Sequence, residues 1–404
     1  MMNLNTNNKY SIINLLEPIL DYDFVDCFSS KLSLVKKQNK YGFINKIGEI
    51  IIPLKYTKAR CFNEGCAAVQ KDDKWGFINK AGEVIIPFEY EYAGSFNEGL
   101  ANIQKDNKWG FINSNGTIVI SLEYDDVTCF CENYARVKKD KKYSIINKTG
   151  KAIISSTSEY EIIDNIREGF TRITADNKLG FIDTTGNIFL PLVYDSINPF
   201  NEGFATVWKE GKSYVIDKIG NEIFLSEYDI LCDFHEGLMA VGNGVHKDMF
   251  SSNTDYEHVV NKNFGEYFLK KVVYEKSHPD TTYEEEFPEE YAMFQKLSKE
   301  HQELHQKAFT AAMKDSKWGF IDITGKVAIP LEYEYVYYSY YKFCDGLARV
   351  KKYGKQGYIN KTGEIVVPIE YDCVQEFHEN LAVVKKDRKW GILEIQTERV
   401  LTKR

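Results

Sequence analysis

Three groups of residues have types and spacings that could carry chemistry. His301 and His305 stand four apart, which on a helix puts both imidazoles on one face, as a zinc site needs. Between them lie Gln302, Glu303 and Leu304. A zinc protease requires Glu directly after the first His, and the inverted arrangement requires it directly before the second. No third ligand is evident, so His301 reads as a core or interface histidine and no metal is expected. Glu284, Glu285, Glu286, Glu289 and Glu290 could act as paired carboxylates or hold a cation; a solvated acidic linker running into a helix explains them more simply. Cys129 and Cys131, separated by one residue, lack the spacing of a zinc knuckle. No nucleophile elbow, phosphate loop or dinucleotide fingerprint occurs at a strand-to-helix turn. The expectation is a protein with no catalytic residue, no metal and no cofactor, and therefore not an enzyme.

Binding is better represented. Tyr335, Tyr337, Tyr338, Tyr340 and Tyr341 crowd one short stretch, and tyrosine combines contact area with a polar handle. This stretch is expected to form a partner or ligand patch, against the plainer reading of a β-edge. Lys74-Trp75, Lys108-Trp109, Lys317-Trp318 and Lys389-Trp390 could form a cation–π ladder for a ligand. Because the pair keeps one place in a repeat, Trp75, Trp109, Trp318 and Trp390 are expected to be repeat-core residues packed between units, with Lys at the flank.

The repeat is the strongest signal in the chain. Aromatic-Gly pairs or their replacements begin at Tyr41, Trp75, Trp109, Tyr143, Leu179, Ser213, Trp318, Gln356 and Trp390. The first three steps are 34 residues each, then come 36 and 34; after an interruption the steps are 38 and 34. One unit predicts its own structure. Lys74 to Asn79 is a short strand of large alternating residues, and Asn79-Lys80-Ala81-Gly82 is a turn. Glu83 to Ile86 is the returning strand, which Pro87 should end by removing a ladder donor. Tyr90 to Phe96 is a third extended piece, Asn97-Glu98-Gly99 a second turn, and Leu100 to Lys105 a fourth strand. Asp106-Asn107 then closes a hairpin. Gly after Trp predicts a close backbone approach at a bulge. A single meander of this size cannot stand alone and must stack on its neighbours.

The pattern K-W-G-F-I-[ND]-x-x-G-x-[IV]-[IV]-[IV]-P-x-x-Y, followed by F-x-E-G-[LF]-A, resembles the bacterial WG-repeat family, also called KWG repeats. The clear units run over 40–241 and 317–394. The resemblance implies a β-rich repeat module that mediates interactions, and it brings no catalytic residues. Ser213 and Gln356 depart from the pattern by replacing Trp.

The fold class expected is an all-β tandem repeat of short antiparallel, blade-like units of about 34 residues. They would form a propeller-like or an open superhelical array, with one helical insert. Nine units are many for a closed ring, and irregular ends would suit caps on an open stack. The expected division is an irregular N-terminal capping repeat (1–39), six units (40–242), a mainly helical insert at a hairpin tip (243–316), and two units plus a half-unit (317–404). In the insert, Pro288-Glu289-Glu290 is a good helix start. Phe294, Leu297, His301 and Leu304 then follow a helical face. Residues 256–274 are read as a second helix.

Composition sets the outer limits. Tyr (27) and Phe (25) lean towards β structure, and the net charge of −8 disfavours a generic nucleic-acid binder or an anionic membrane surface as partner. Neither a secretory signal nor a bilayer-spanning stretch is read. The eight cysteines, Cys27, Cys61, Cys66, Cys129, Cys131, Cys232, Cys344 and Cys373, are read as sharing no one repeat position. They are expected to be reduced and mostly buried in a bacterial cytoplasmic protein. The function expected is non-catalytic scaffolding with a protein partner. The alternative is small-molecule or glycan binding on a concave face or channel, with Asn102, Arg136 and Arg349 as lining residues; an enzyme with chemistry in the insert comes third.

Overall fold

Each unit folds from its turns outward. Asn79 Oδ1 accepts the N–H groups of Ala81 and Glu83 at 3.0 Å each, and Gly82 takes a φ of +81°. This side-chain-built turn recurs at Asn45, Asn113, Asn147, Asp183, Asp217, Asp322 and Asn360. The second turn is a two-residue hairpin. Asp106 and Asn107 sit at φ of 53° and 57°, the left-handed pair that matches strand twist, between the paired Lys105 and Lys108.

The computed structural model describes residues 7–157, 160–162, 164–243, 316–334 and 342–400. Within them, 36 strands, β1 to β36 in chain order, form nine four-stranded antiparallel sheets. The second sheet is typical: β6 (Lys58–Ala59), β7 (Cys66–Lys71), β8 (Lys74–Asn79) and β9 (Val84–Tyr90) lie in sequence order. The expected third extended piece is only two residues long, Tyr92–Ala93, and it opens the next sheet instead of completing its own.

Nor does Pro87 end its strand. The strand runs on to Tyr90, with a register shift between the pairs Phe77↔Ile86 and Trp75↔Tyr90. This last strand is a sheet edge, so a residue without an N–H costs no ladder bond there. The shift carries the edge strand across the glycine after Trp: a Cβ on Gly110 would lie 2.5 Å from the carbonyl oxygen of Ile120. Two units lack that glycine, and both lack the shift. Ser144 pairs directly with Ser155, and Tyr214 with Leu225; their edge strands are four residues long instead of seven.

The nine sheets are the blades of a propeller-like ring. The chain closes it by pairing its ends: β1 (Asn7–Leu20) lies antiparallel to β36 (Lys389–Val400), with Ile12 opposite Ile395 and Leu20 opposite Trp390. The N-terminal strand is therefore the outer strand of the ninth blade, and the sheet of Phe24–Tyr56 is the first blade. This excludes the open stack, and the chain ends complete a blade in place of forming caps. A strand supplied from the far end of the chain gives the last edge a partner.

Blades adhere through their faces. The Phe of K-W-G-F meets the Phe of the next blade's F-x-E-G turn, as in Phe43–Phe62, Phe77–Phe96, Phe111–Phe130, Phe181–Phe200 and Phe320–Phe343, with centroids 4.7–4.9 Å apart. Each such pair adds about 0.5–1.5 kcal/mol beyond its buried area. At the fourth-to-fifth junction Ile145 and Ile166, both buried, occupy the same places.

A belt of glutamates runs beside this core. Glu64 accepts the N–H of Gly99 at 2.9 Å, Glu98 that of Asn133 at 2.8 Å, Glu168 that of Gly203 at 2.9 Å, and Glu202 that of Gly237 at 2.7 Å. Each bond joins one blade's F-x-E-G turn to the next. Burial pushes the Glu98 carboxyl up, but the bond from Asn133 and the Lys148 ammonium hold it below the usual range. Two junctions lack the glutamate: the first blade has Ser30 in its place, and the eighth has the shorter Asp345, 3.9 Å from His378. Among the described residues, side-chain bonds between positions one repeat apart all fall on these turns and on the short first strands. The first strands therefore face the ring axis and the last strands the rim, where Ile50, Val84 and Ile118 are exposed.

Candidate functional site

Two of the places that depart from the repeat are the candidate sites. The first is a corner of the seventh blade, built from β26 (Ile230–His235), β27 (Leu238–Asn243), β28 (Lys317–Asp322) and β29 (Val327–Tyr333). Asn243 pairs with Lys317 at the tip of the second hairpin, and Trp318 pairs with both Gly242 and Tyr333. Residues 244–315 leave and rejoin the sheet at that tip, and residues 335–341 leave one position past Tyr333. The attachment points of both segments thus lie side by side on adjacent strands. The expected insert helices, with Phe294, Leu297, His301 and Leu304, lie outside the described residues. So do the acidic run Glu284 to Glu290 and the tyrosines Tyr335, Tyr337, Tyr338, Tyr340 and Tyr341.

The second place is a cavity of about 540 Å³ where the eighth, ninth and first blades meet. Its existence follows from residue replacements. Where other units place Trp75, Trp109, Trp318 or Trp390, the eighth blade has Gln356; where Phe24 and Tyr92 open other blades, the ninth has Cys373. At two other junctions these positions fill each other's space: Trp75 lies 6.1 Å from Tyr92, and Trp390 lies 6.4 Å from Phe24. With Gln356 and Cys373 at one junction, neither ring is present there. Of the other non-aromatic replacements, Leu179 is itself bulky and apolar, and Ser213 has Trp208 directly opposite on the paired strand; opposite Gln356 stands Lys351.

Polar groups line the space. Arg349 is buried and donates to the carbonyl oxygen of Val374 at 2.9 Å, and Gln356 accepts the N–H of Val374 at 3.1 Å. Gln375 donates to the carbonyl oxygen of Val25 at 3.1 Å across the ring closure. Asp26 accepts from the Cys61 thiol at 3.1 Å and from the Cys27 N–H at 2.8 Å. Glu376 pairs with Lys342 at 2.9 Å. Burial, then the charges of Asp26 and Glu376, push the Cys27 thiol up to about 12, with Arg349 pulling the other way. Burial likewise raises the thiol of Cys373.

The remaining expected site residues have defined places. Trp75, Trp318 and Trp390 are buried and Trp109 is half-buried, at blade junctions. The lysines beside them form no ladder with them: Lys108 pairs with Asp125 at 2.7 Å, Lys389 with Asp21 at 3.0 Å, and Lys74 approaches Glu91 at 4.0 Å. Asn102, Arg136 and Arg349 share one position of the second strand, yet only Arg349 reaches the cavity; Arg136 lies over the Tyr143 ring at 4.6 Å. Three cysteines do share a repeat position: Cys27, Cys61 and Cys129 stand at 34- and 68-residue spacings, just after the first strands. Cys129 is exposed and the other two are half-buried; of all eight only Cys66 is fully buried. All eight are free thiols. Among the described residues no group of three His, Cys, Asp or Glu could hold a metal ion.

The sequence marked Gln356 as a departure but attached no site to it. The signal was the absence of a compensating aromatic at Lys351, which becomes readable only once strand register is known.

Comparison with solved structures finds slight likenesses. BamB from Moraxella catarrhalis matches at 9% identity and a TM-score of 0.35, over 59% of this chain and 97% of that one. Hsv2 from Kluyveromyces lactis matches at 8% and 0.32, over 57% and 95%. A virginiamycin B lyase from Staphylococcus aureus, solved with quinupristin, matches at 15% and 0.28, over 58% and 96%. Likenesses this slight carry no functional argument. No curated protein matches the chain. A family model described as the WG containing repeat matches residues 41–75, 75–109, 109–143, 180–212, 318–355 and 357–390, just over half of the chain. With the repeat's glycine, phenylalanines and glutamate each given a structural duty in the ring, the chain belongs to the WG-repeat family.

Proposed function

We propose that this ring is a non-catalytic scaffold that binds a protein partner, with recognition concentrated at the corner of the seventh blade. The observation that carries this reading is the convergence there of residues 244–315, which have no counterpart in the other units, and residues 335–341, which make this link four residues longer than in the 34-residue units. Asn243, Lys317 and Glu334 bring residues 244–315 and 335–341 to neighbouring points of one sheet end. A tyrosine-rich segment beside a second added segment concentrates the residues that dominate protein interfaces. The ring supplies a rigid platform, because each blade is fixed on both sides by its neighbours.

The test is affinity capture with full-length bait, bait lacking residues 244–315, and a Tyr337→Ala, Tyr340→Ala double variant. Partners lost from both altered baits support the corner. Partners retained by both would move recognition to the repeats themselves. Small-molecule binding is the second reading, favoured by the cavity between the eighth, ninth and first blades.

A further inference from the structure

The cavity at the ring closure combines replaced repeat positions, a polar lining and a volume of about 540 Å³. Gln356 vacates an aromatic position of the repeat, its first-strand neighbour is the small Cys373 where two other blades have Phe24 and Tyr92, and no ring is moved in to compensate. The junction's other variable positions are filled with planar hydrogen-bonding groups: Arg349, Gln375, Glu376 and Asp26. The equivalent positions of the third blade, Asn102, Gly94 and Ser95, carry smaller groups and no charge, while the fifth blade pairs Arg172 with Asp164 there. Packing alone would favour filling such a void, since an unfilled space forfeits contacts on every side. A void of about 540 Å³ lined by polar groups has the size and character of a small-ligand site.

The lining also narrows the ligand. Arg349 stands against Asp26 and Glu376, and Lys342, outside the lining, pairs with Glu376 at 2.9 Å; with it the charges balance, and a ligand with net charge gains little. Carboxylates only accept hydrogen bonds and guanidinium only donates, while the two carboxamides do both. A ligand that meets all of them must donate and accept from adjacent atoms, which is the property of neighbouring hydroxyls. Phe24 and Trp390 add an aromatic wall against which a C–H face can pack. Asp26, Cys27, Gln375 and Glu376 remain partly exposed, giving solvent a way in.

We infer that this cavity binds a neutral polyhydroxylated ligand of monosaccharide to disaccharide size. The inference rests on the small-molecule reading of the cavity and is independent of the protein-binding corner. It locates the site at Arg349, Gln356, Gln375, Glu376 and Asp26, and it requires a closed ring, because the first blade supplies one wall.

The experiment is isothermal titration calorimetry of the full chain against glucose, galactose, mannose, N-acetylglucosamine, maltose and lactose, with their methyl glycosides. Glutamine and lysine serve as zwitterionic probes. The key variant is Gln356→Trp, which restores the residue typical of the repeat and refills the space; Asp26→Asn is the second. Thermal melting checks that both fold. The expected result is saturable binding of at least one neutral sugar, weakened at least about tenfold by Gln356→Trp. Equal binding of methyl glycosides would identify a chain-terminal sugar of a glycan as the source, and loss of binding would identify the free sugar. Binding of the amino acids alone, also lost in Gln356→Trp, would overturn the polyol class while leaving a small-molecule site. Binding of nothing, or sugar binding indifferent to Gln356→Trp, would overturn the site itself.

Discussion

Glu379, near the end of the chain, accepts the backbone N–H of Ser30 at 2.9 Å and of Lys31 at 2.8 Å, near its beginning. The same bond joins other neighbouring blades, so the closing junction is built like an internal one. Chain ends that meet through the repeat's own contacts make a ring without a weak seam. That uniformity gives the belt glutamates a measurable weight. Glu202→Ala leaves the turn N–H groups of Glu236 and Gly237 to water, and is expected to cost about 1 kcal/mol of unfolding free energy. Urea denaturation measures it. Asp345→Ala, at a junction with no such bond, serves as the control and should change stability by less than about 0.5 kcal/mol.

Gly110→Ala tests the edge-strand crossing. Its new Cβ would meet the backbone oxygens of Ile120 and Ser121 at 2.5 and 2.8 Å, and neither can rotate away. A loss of about 2–3 kcal/mol is expected. Ser144→Ala, at the same repeat position in a blade whose edge strand stays in register there, should stay within about 1 kcal/mol. Equal effects would mean that the shift does not depend on the glycine.

Acid should weaken the ring in a defined window. Hydrogen bonds from Lys108, Lys178 and Lys355 hold the carboxyls of Asp125, Asp195 and Asp372 below their usual 3.8. A carboxyl lower in the folded than in the unfolded chain contributes stability above the unfolded value. That contribution is lost as pH falls through the folded value, and salt should shrink it because these pairs are exposed. Urea midpoints measured from pH 6 down to pH 2, at low and high salt, check both statements.

The thiols divide by position. Cys27, pushed up to about 12 by burial and by Asp26, is a thiol at pH 8, with roughly one part in ten thousand ionised. Cys129, one of its two repeat equivalents, is exposed. Iodoacetamide at pH 8 should label Cys129 first and leave Cys27 unmodified while the protein is folded. Peptide mass spectrometry reads the order directly.

Much of this molecule was legible in its residues. Asn79 and Gly82 announced their turn, Asp106 and Asn107 their hairpin, and the glycine after Trp its bulge. What stayed hidden needed partners one repeat away. Glu98 looked like a turn residue because its acceptor role is to Asn133, 35 positions on. Pro87 looked like a stop because its place on a sheet edge is a tertiary fact. Residues 7–20 looked irregular because their pairing partner is β36, at the other end of the chain. Likewise the cavity required knowing that Gln356 and Cys373 face the same junction. Ring closure was beyond local reasoning, since it depends on the angle between successive blades summed over nine.

Ring closure is also what the cavity and the whole account stand on. The most direct test introduces Ile12→Cys and Ile395→Cys, which the β1–β36 register places opposite each other. The eight native cysteines are replaced by serine or alanine in that variant. Mild oxidation of dilute protein should give an intramolecular disulfide joining residues 12 and 395, identified by peptide mapping, with no rise in mass on a non-reducing gel. The absence of that link, or its formation only between two chains, would contradict the closed ring.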